Sequence, residues 1–280
     1  MRYKVTRKDC QRVIGELIRI FKEVELSNEI DFLVYGTYFG KWRNGLSDLD
    51  GVLSFSKSFI DPQLRFKILA FQMKMRELYE NIEFLKTGHF FADVFVLDKE
   101  LVEDGRFMIY DKGFIDRIVN GQTKQAVLFG EDFVRKLNPV SLRHQDEFEL
   151  AAGVQKLRNY LLFEIPKPVN IIDLNCAIGV TKFFKILPRT VAIILGESLI
   201  STIEEMTKLR NYLEEIDYSY LERFFEASFD PDFIVEHIRS WHEIGNEAFL
   251  DYLVCFEKVL QAVIKNESML SLGGNRGINE

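Results

Sequence analysis

Hydrophobic and polar positions follow two different periods along the first half of the chain. Residues 7–24 place Val13, Ile14, Leu17, Ile20 and Phe21 at the three- and four-residue spacing of one helix face. The run 31–35, DFLVY, reads as a strand closed by Gly36. After a polar stretch, residues 48–55 (DLDGVLSF) alternate with a period of two. Asp48, Asp50, Val52 and Ser54 fall on one face, and Leu49, Gly51, Leu53 and Phe55 on the other. Pro62 suits the first turn of a helix that residues 64–78 continue. Residues 90–97 (FFADVFVL) form a third extended run and 107–110 a fourth. The predicted order is helix, strand, strand, helix, strand, strand, helix.

Beyond Asn138 and Pro139 the strand signals thin out. Segments 141–164, 170–187, 189–216, 218–228 and 231–265 read as helical, punctuated by Pro166, Pro168, Pro188 and Pro231. The predicted fold class is α+β. A mixed-sheet domain over 1–139 precedes a helical bundle over 140–267 and a polar, Gly-rich tail over 268–280.

Composition narrows the function classes. With 280 residues, 47% hydrophobic and 28% charged, the chain has an ordinary globular balance. A net charge of −7 argues against a generally basic nucleic-acid-binding surface. The three cysteines, Cys10, Cys176 and Cys255, are widely separated and form no CxxC pair, which suggests neither a zinc knuckle nor a disulfide framework. Free thiols fit a reducing cytoplasm. No apolar stretch approaches the roughly 20 residues of a membrane helix, and the segment MRYKVTRKDC has no signal-peptide core. The expectation is a cytoplasmic protein without a membrane partner.

The segment 35–55, YGTYFGKWRNGLSDLDGVLSF, carries the chemistry. Asp48 and Asp50, two apart on an extended chain, project to one side and repel each other unless a cation is shared. Mg²⁺, a hard ion that takes oxygen ligands and completes its shell with water and phosphate, suits them. Asp93 supplies a third carboxylate on an otherwise apolar run, so three acids can hold two metals for an in-line transfer. Gly36 lets a phosphate approach the backbone closely, and the Thr37 hydroxyl can donate to a phosphate oxygen. Lys41 and Arg43 add positive charge nearby.

An apolar strand, Gly36-Thr37, a spacer of about a dozen residues, Asp48-x-Asp50 and a later lone Asp93 together resemble the DNA polymerase β-like nucleotidyltransferase superfamily. The resemblance covers about residues 7–135. It implies transfer of a nucleoside monophosphate from an NTP with release of pyrophosphate. It makes Gly36 and Thr37 nucleotide-binding, and Asp48, Asp50 and Asp93 metal-binding and catalytic. A helical domain after this core is similar to the small-molecule (antibiotic) nucleotidyltransferases. Mg²⁺ is the implied cofactor and ATP, the abundant NTP, the expected donor. The expected acceptor is a hydroxyl, on a small molecule in preference to RNA or protein. Thr37 stands where the family commonly has Ser, and Gly40-Lys41 where Arg-Gly is frequent. In the antibiotic enzymes a Glu beyond the core deprotonates the acceptor. Glu147, Glu149 and Glu164 do not align to that role and read as helix-surface acids.

Other readings explain less. DLDGVL resembles the nucleophile loop of haloacid-dehalogenase-like phosphatases, but there an apolar strand precedes the first Asp, whereas here polar residues 43–47 do. Val52 also replaces the expected Thr. An EF-hand lacks its acidic positions and closing Glu. His89, His144, His237 and His242 are scattered, with no zinc-helix spacing. The basic cluster Lys182, Lys185 and Arg189 reads as a solvated helix face. Two functional alternatives share the fold: an inactive partner-binding module, and a toxin-type enzyme acting on tRNA or protein.

Overall fold

A computed structural model describes residues 5–39, 42, 47–57, 59, 61–87, 90–91, 94–98, 124–136, 155, 158–167, 250 and 254. They have mixed α+β content built on a four-stranded mixed sheet. Helix α1 spans Arg7–Glu23. Thr6 and Asp9 close a reciprocal capping box at its start, satisfying amides that have no partner within the helix. The apolar stripe read from the sequence is the buried face. The helix stops at Val24, with Glu25 in the left-handed region at φ 57°. The Leu26 N–H donates to the Phe21 carbonyl at 2.8 Å and the Glu25 N–H to that of Lys22 at 3.1 Å, a Schellman closure.

Strand β1 (Ile30–Val34) is central, pairing antiparallel with β2 (Gly51–Phe55) and with β4 (Ala126–Phe129). Strand β3 (Val94–Asp98) pairs parallel with β2, giving the order β3-β2-β1-β4. A parallel neighbour requires a crossover. Helices α2 (Pro62–Asn81) and α3 (Glu83–Thr87) provide it. Asp61 caps α2 by accepting from the Gln63 and Leu64 amides, both at 2.9 Å. These amides also hold its carboxyl below the ordinary range, the Leu64 bond most strongly.

One sheet face carries Phe32, Leu53 and Val96 in register. Phe21 of α1 meets Phe32 edge-on and stacks on Phe71 of α2 at 4.8 Å, so both helices lie over this face. The opposite face, with Leu33, Val52 and Leu97, is also buried. All of β1 and β2 is therefore buried, as expected of strands covered on both sides.

The chain divides into two compact units, Met1–Ser141 with Arg158–Ile171, and Leu142–Leu157 with Ile172–Glu280. Residues 158–167 thus pack with the first unit. Phe163 stacks on Phe91 at 4.7 Å and meets Phe71 edge-on. Gln72 donates to the Leu161 carbonyl at 2.6 Å, and the buried Tyr79 hydroxyl donates to that of Phe163. Residues Tyr160–Glu164 form a π-turn, in which the Ile165 N–H donates to the Tyr160 carbonyl.

Three differences from the sequence expectation stand out. The strand expected over 48–55 starts at Gly51, with Asp48 to Asp50 leading into it. The strand expected over 90–97 starts at Val94, because the Val94 N–H returns to the Phe91 carbonyl at 3.1 Å and turns the chain there. Strand β4, only four residues long and followed by Gly130, was not anticipated. The expected strand 107–110, the helices beyond 168 and the tail lie outside the described residues, apart from Leu250 and Val254. Among the described residues no helix is long and apolar enough to cross a membrane.

Candidate functional site

The candidate site gathers at the end of β1 where β2 begins. The Tyr35 N–H donates to the Asp50 carbonyl at 3.1 Å, carrying the ladder one step beyond β2. The Leu49 N–H donates to the Phe90 carbonyl at 3.0 Å, so the Asp-x-Asp segment is fixed on two sides. Leu49 is fully buried, while Asp48 and Asp50 are half-buried. The period-two alternation thus holds one step outside the strand: the leucine anchors the segment and leaves both acids at the margin of the core.

Gly36 lies directly against Asp50. Its φ is +67°, in the region that favours glycine, and it begins a 3₁₀ turn, Gly36–Tyr38. A Cβ built there would lie 2.3 Å from Asp50 Oδ2 and 2.8 Å from its Cγ. The space that a side chain at position 36 would need is therefore taken by the Asp50 carboxylate, and glycine is required on two counts. Thr37 sits within the turn, but its side chain is outside the described set.

The turn is secured to the entry of α1. Arg7 donates through Nε to the Tyr38 carbonyl at 3.0 Å, with Nη2 on the same oxygen. The Trp42 indole N–H donates to the Val5 carbonyl at 3.1 Å. Burial pushes the Cys10 thiol up to about 12; the Arg7 guanidinium pulls it down and the Asp50 carboxylate pushes it up. Arg7, Cys10 and Asp50 therefore share one electrostatic neighbourhood. The sequence reading did not single out Arg7 or Trp42, since the contact joins positions 31 to 37 residues apart.

A second glycine–carboxylate contact lies in the sheet. Asp31, buried in β1, accepts from the Glu131 N–H at 2.7 Å. Its Oδ1 lies 1.8 Å from where a Cβ on Gly130 would sit, and Gly130 has φ +65°. Asp31 fastens the turn after β4, which gives a buried acid in an apolar strand a structural partner.

Asp93, the third predicted acid, lies outside the described residues, as do Lys41, Arg43, Glu147 and Glu149. Among the described residues no group of three His, Cys, Asp or Glu side chains could hold a metal ion. Val94, next in sequence after Asp93, pairs with Gly51, next after Asp50. Glu164 is not the surface acid that was expected. It is buried and ion-paired with Lys167, also buried, because residues 158–167 fold inward. Burial first, and then the Glu164 charge, push the Tyr79 phenol well above its usual value.

Compared with models of known families, with curated proteins and with solved structures, the chain matches none.

Proposed function

We propose that the protein is a metal-dependent nucleotidyltransferase that moves a nucleoside monophosphate from an NTP to an acceptor hydroxyl. The observation that carries this reading is the meeting of Gly36 with Asp50 at the end of β1, with Asp48 and Leu49 fixing the phase of the acids. The β2–β3 register supports Asp93 as the third acid, since Val94 and Gly51 are partners. In this reading the mixed sheet is a nucleotidyltransferase core, and the helical bundle expected over 140–267 is its C-terminal companion.

The donor set fits Mg²⁺: half-buried carboxylates spaced two apart offer hard oxygen ligands, and Gly36 leaves the room that one of them occupies. Asp48, Asp50 and Asp93 would hold the ion, which when bound neutralises phosphate charge and polarises the reacting phosphorus centre. The chain's own work is positioning. Gly36 admits the phosphates to the backbone, with the Thr37 hydroxyl as a donor. At the entry of α1, Arg7 holds the Tyr38 carbonyl and the Val5 carbonyl holds Trp42. ATP remains the proposed donor and a small hydroxylated molecule the proposed acceptor, in the cytoplasm.

The test is a thermal-shift screen of each NTP with and without Mg²⁺, followed by transfer from labelled NTP into cell extract. Stabilisation by one NTP only with Mg²⁺, and a labelled product, are expected. Absence of any shift with all NTPs would favour an inactive partner-binding module; label on tRNA or protein would favour the toxin-type reading.

A further inference from the structure

We infer that Asn159 is a positioning residue of the acidic site, acting through the turn that ends at Val94; this rests on the nucleotidyltransferase reading above. Asn159 is buried, and its Nδ2 donates to the Phe91 carbonyl at 2.9 Å and to the Val94 carbonyl at 2.7 Å. A side-chain amide nitrogen has two hydrogens, and each has an acceptor. The same turn is held from the other side, where the Leu49 N–H, between Asp48 and Asp50, donates to the Phe90 carbonyl. Val94 then pairs with Gly51. One short stretch of backbone is thus tied to the Asp-x-Asp segment on one side and to Asn159 on the other.

The two carbonyls that Asn159 holds bracket positions 92 and 93. Holding them holds Phe91 and Val94, the described residues that flank positions 92 and 93, beside the Asp-x-Asp backbone. The clamp comes from a residue 65 and 68 positions away, beyond the expected domain boundary. Aspartate, nearly the same shape, would set a carboxylate against two carbonyls. Alanine would take the side-chain donor from both carbonyls and leave that of Phe91 with the Val94 N–H alone on the turn. Outer partners that orient acidic ligands typically change metal affinity by about 10–100-fold when removed.

The test is a Mn²⁺ titration, read by electron paramagnetic resonance, with a non-hydrolysable ATP analogue present. Wild type should bind two ions, and Asp93→Asn should lose one. Asn159→Ala should weaken that same ion by about 10–100-fold and spare the other. Asn159→Ser, with a single donor, should fall between. Gln72→Leu is the control: it removes the bond to the Leu161 carbonyl on the same segment and should leave both ions bound. Hydrogen exchange at the Val94 amide supplies a metal-free reading and should quicken about tenfold or more in Asn159→Ala. If wild type binds no second ion, or Asp93→Asn keeps both, the three-acid reading fails while the exchange result still reports the clamp. If Asp93→Asn loses an ion that Asn159→Ala retains at wild-type affinity, the positioning role is overturned. Equal weakening by Gln72→Leu, or failure of both Asn159 variants to fold, also overturns it, by assigning Asn159 to the fold alone.

Discussion

Replacing Gly36 by alanine tests the contact at the centre of the candidate site. The substitution adds one carbon, which would sit 2.3 Å from Asp50 Oδ2, 2.8 Å from its Cγ and 3.1 Å from its Cβ. Real contacts to a Cβ are at least 3.0 Å, so the carboxylate must retreat by about 0.7 Å or the turn must open. Alanine at φ +67° also carries about 1–2 kcal/mol of left-handed strain. Adding about 1 kcal/mol for displacing Asp50 predicts a total loss of about 2–3 kcal/mol. Strain and collision separate in a double-mutant cycle, because Asp50→Ala removes the carboxylate and leaves only the Cβ contact. In that background Gly36→Ala should cost only the strain, a coupling of about 1 kcal/mol. Urea denaturation of the four proteins measures this. Costs that add to within about 0.3–0.5 kcal/mol would refute the contact. If the protein is the proposed nucleotidyltransferase and Asp50 a ligand of its metal, a displacement approaching an ångström should also lower transfer activity about 10²-fold. Retention of full Mn²⁺ affinity by Gly36→Ala would mean that the Asp50 carboxylate is not where the metal binds.

Two further predictions concern α1. Glu25→Gly should stabilise the protein by about 0.5–1 kcal/mol in urea, because Glu25 holds a left-handed angle at the helix end and its Lys67 contact uses only its carbonyl; destabilisation would contradict the Schellman closure. Cys10, with its thiol pushed from about 9 up to about 12, should react with iodoacetamide at pH 8 roughly 10³-fold more slowly folded than unfolded, measured in a Cys176→Ser/Cys255→Ser background. The raised value means that the folded state holds its proton longer, so this contribution to stability is full below about pH 9 and fades as pH rises towards 12.

Helices α1 and α2 and the approach to β2 were legible because their signals are local. The stripe of α1, Pro62 opening α2 and the alternation of 48–55 each predict burial from neighbours in sequence, and the burial of Leu49 between two half-buried acids follows that alternation. The start of β3 was not legible. Phe90 and Phe91 are as buried in a turn as in a strand, so hydrophobicity alone cannot separate the two. Glu164 and Lys167, three apart, look like a solvated helix pair, and only the inward fold of their segment buries them. Asn159 gives no signal at all, since both acceptors are backbone carbonyls, which every residue carries.

That inward fold bears on where the first unit can be cut. A fragment ending at residue 139, the boundary that composition suggests, lacks Leu161, Leu162, Phe163 and Ile165, each at most 2% exposed. Burying such side chains is worth about 1.5–3 kcal/mol apiece, or roughly 6–12 kcal/mol together, the size of a whole domain's stability. The cut also opens the space between Phe71 and Phe91 that Phe163 fills, and it removes the acceptors of Gln72 and Tyr79. The 1–139 fragment should therefore show no cooperative urea transition and should bind a hydrophobic dye. A fragment ending at residue 171 restores all four side chains and Asn159 and should unfold in a single transition. Equal midpoints for the two fragments would show that residues 158–167 merely rest on a core complete without them. A transition only in the longer one would make this returning segment part of the first unit's fold, so a boundary drawn by composition at residue 139 would divide one core.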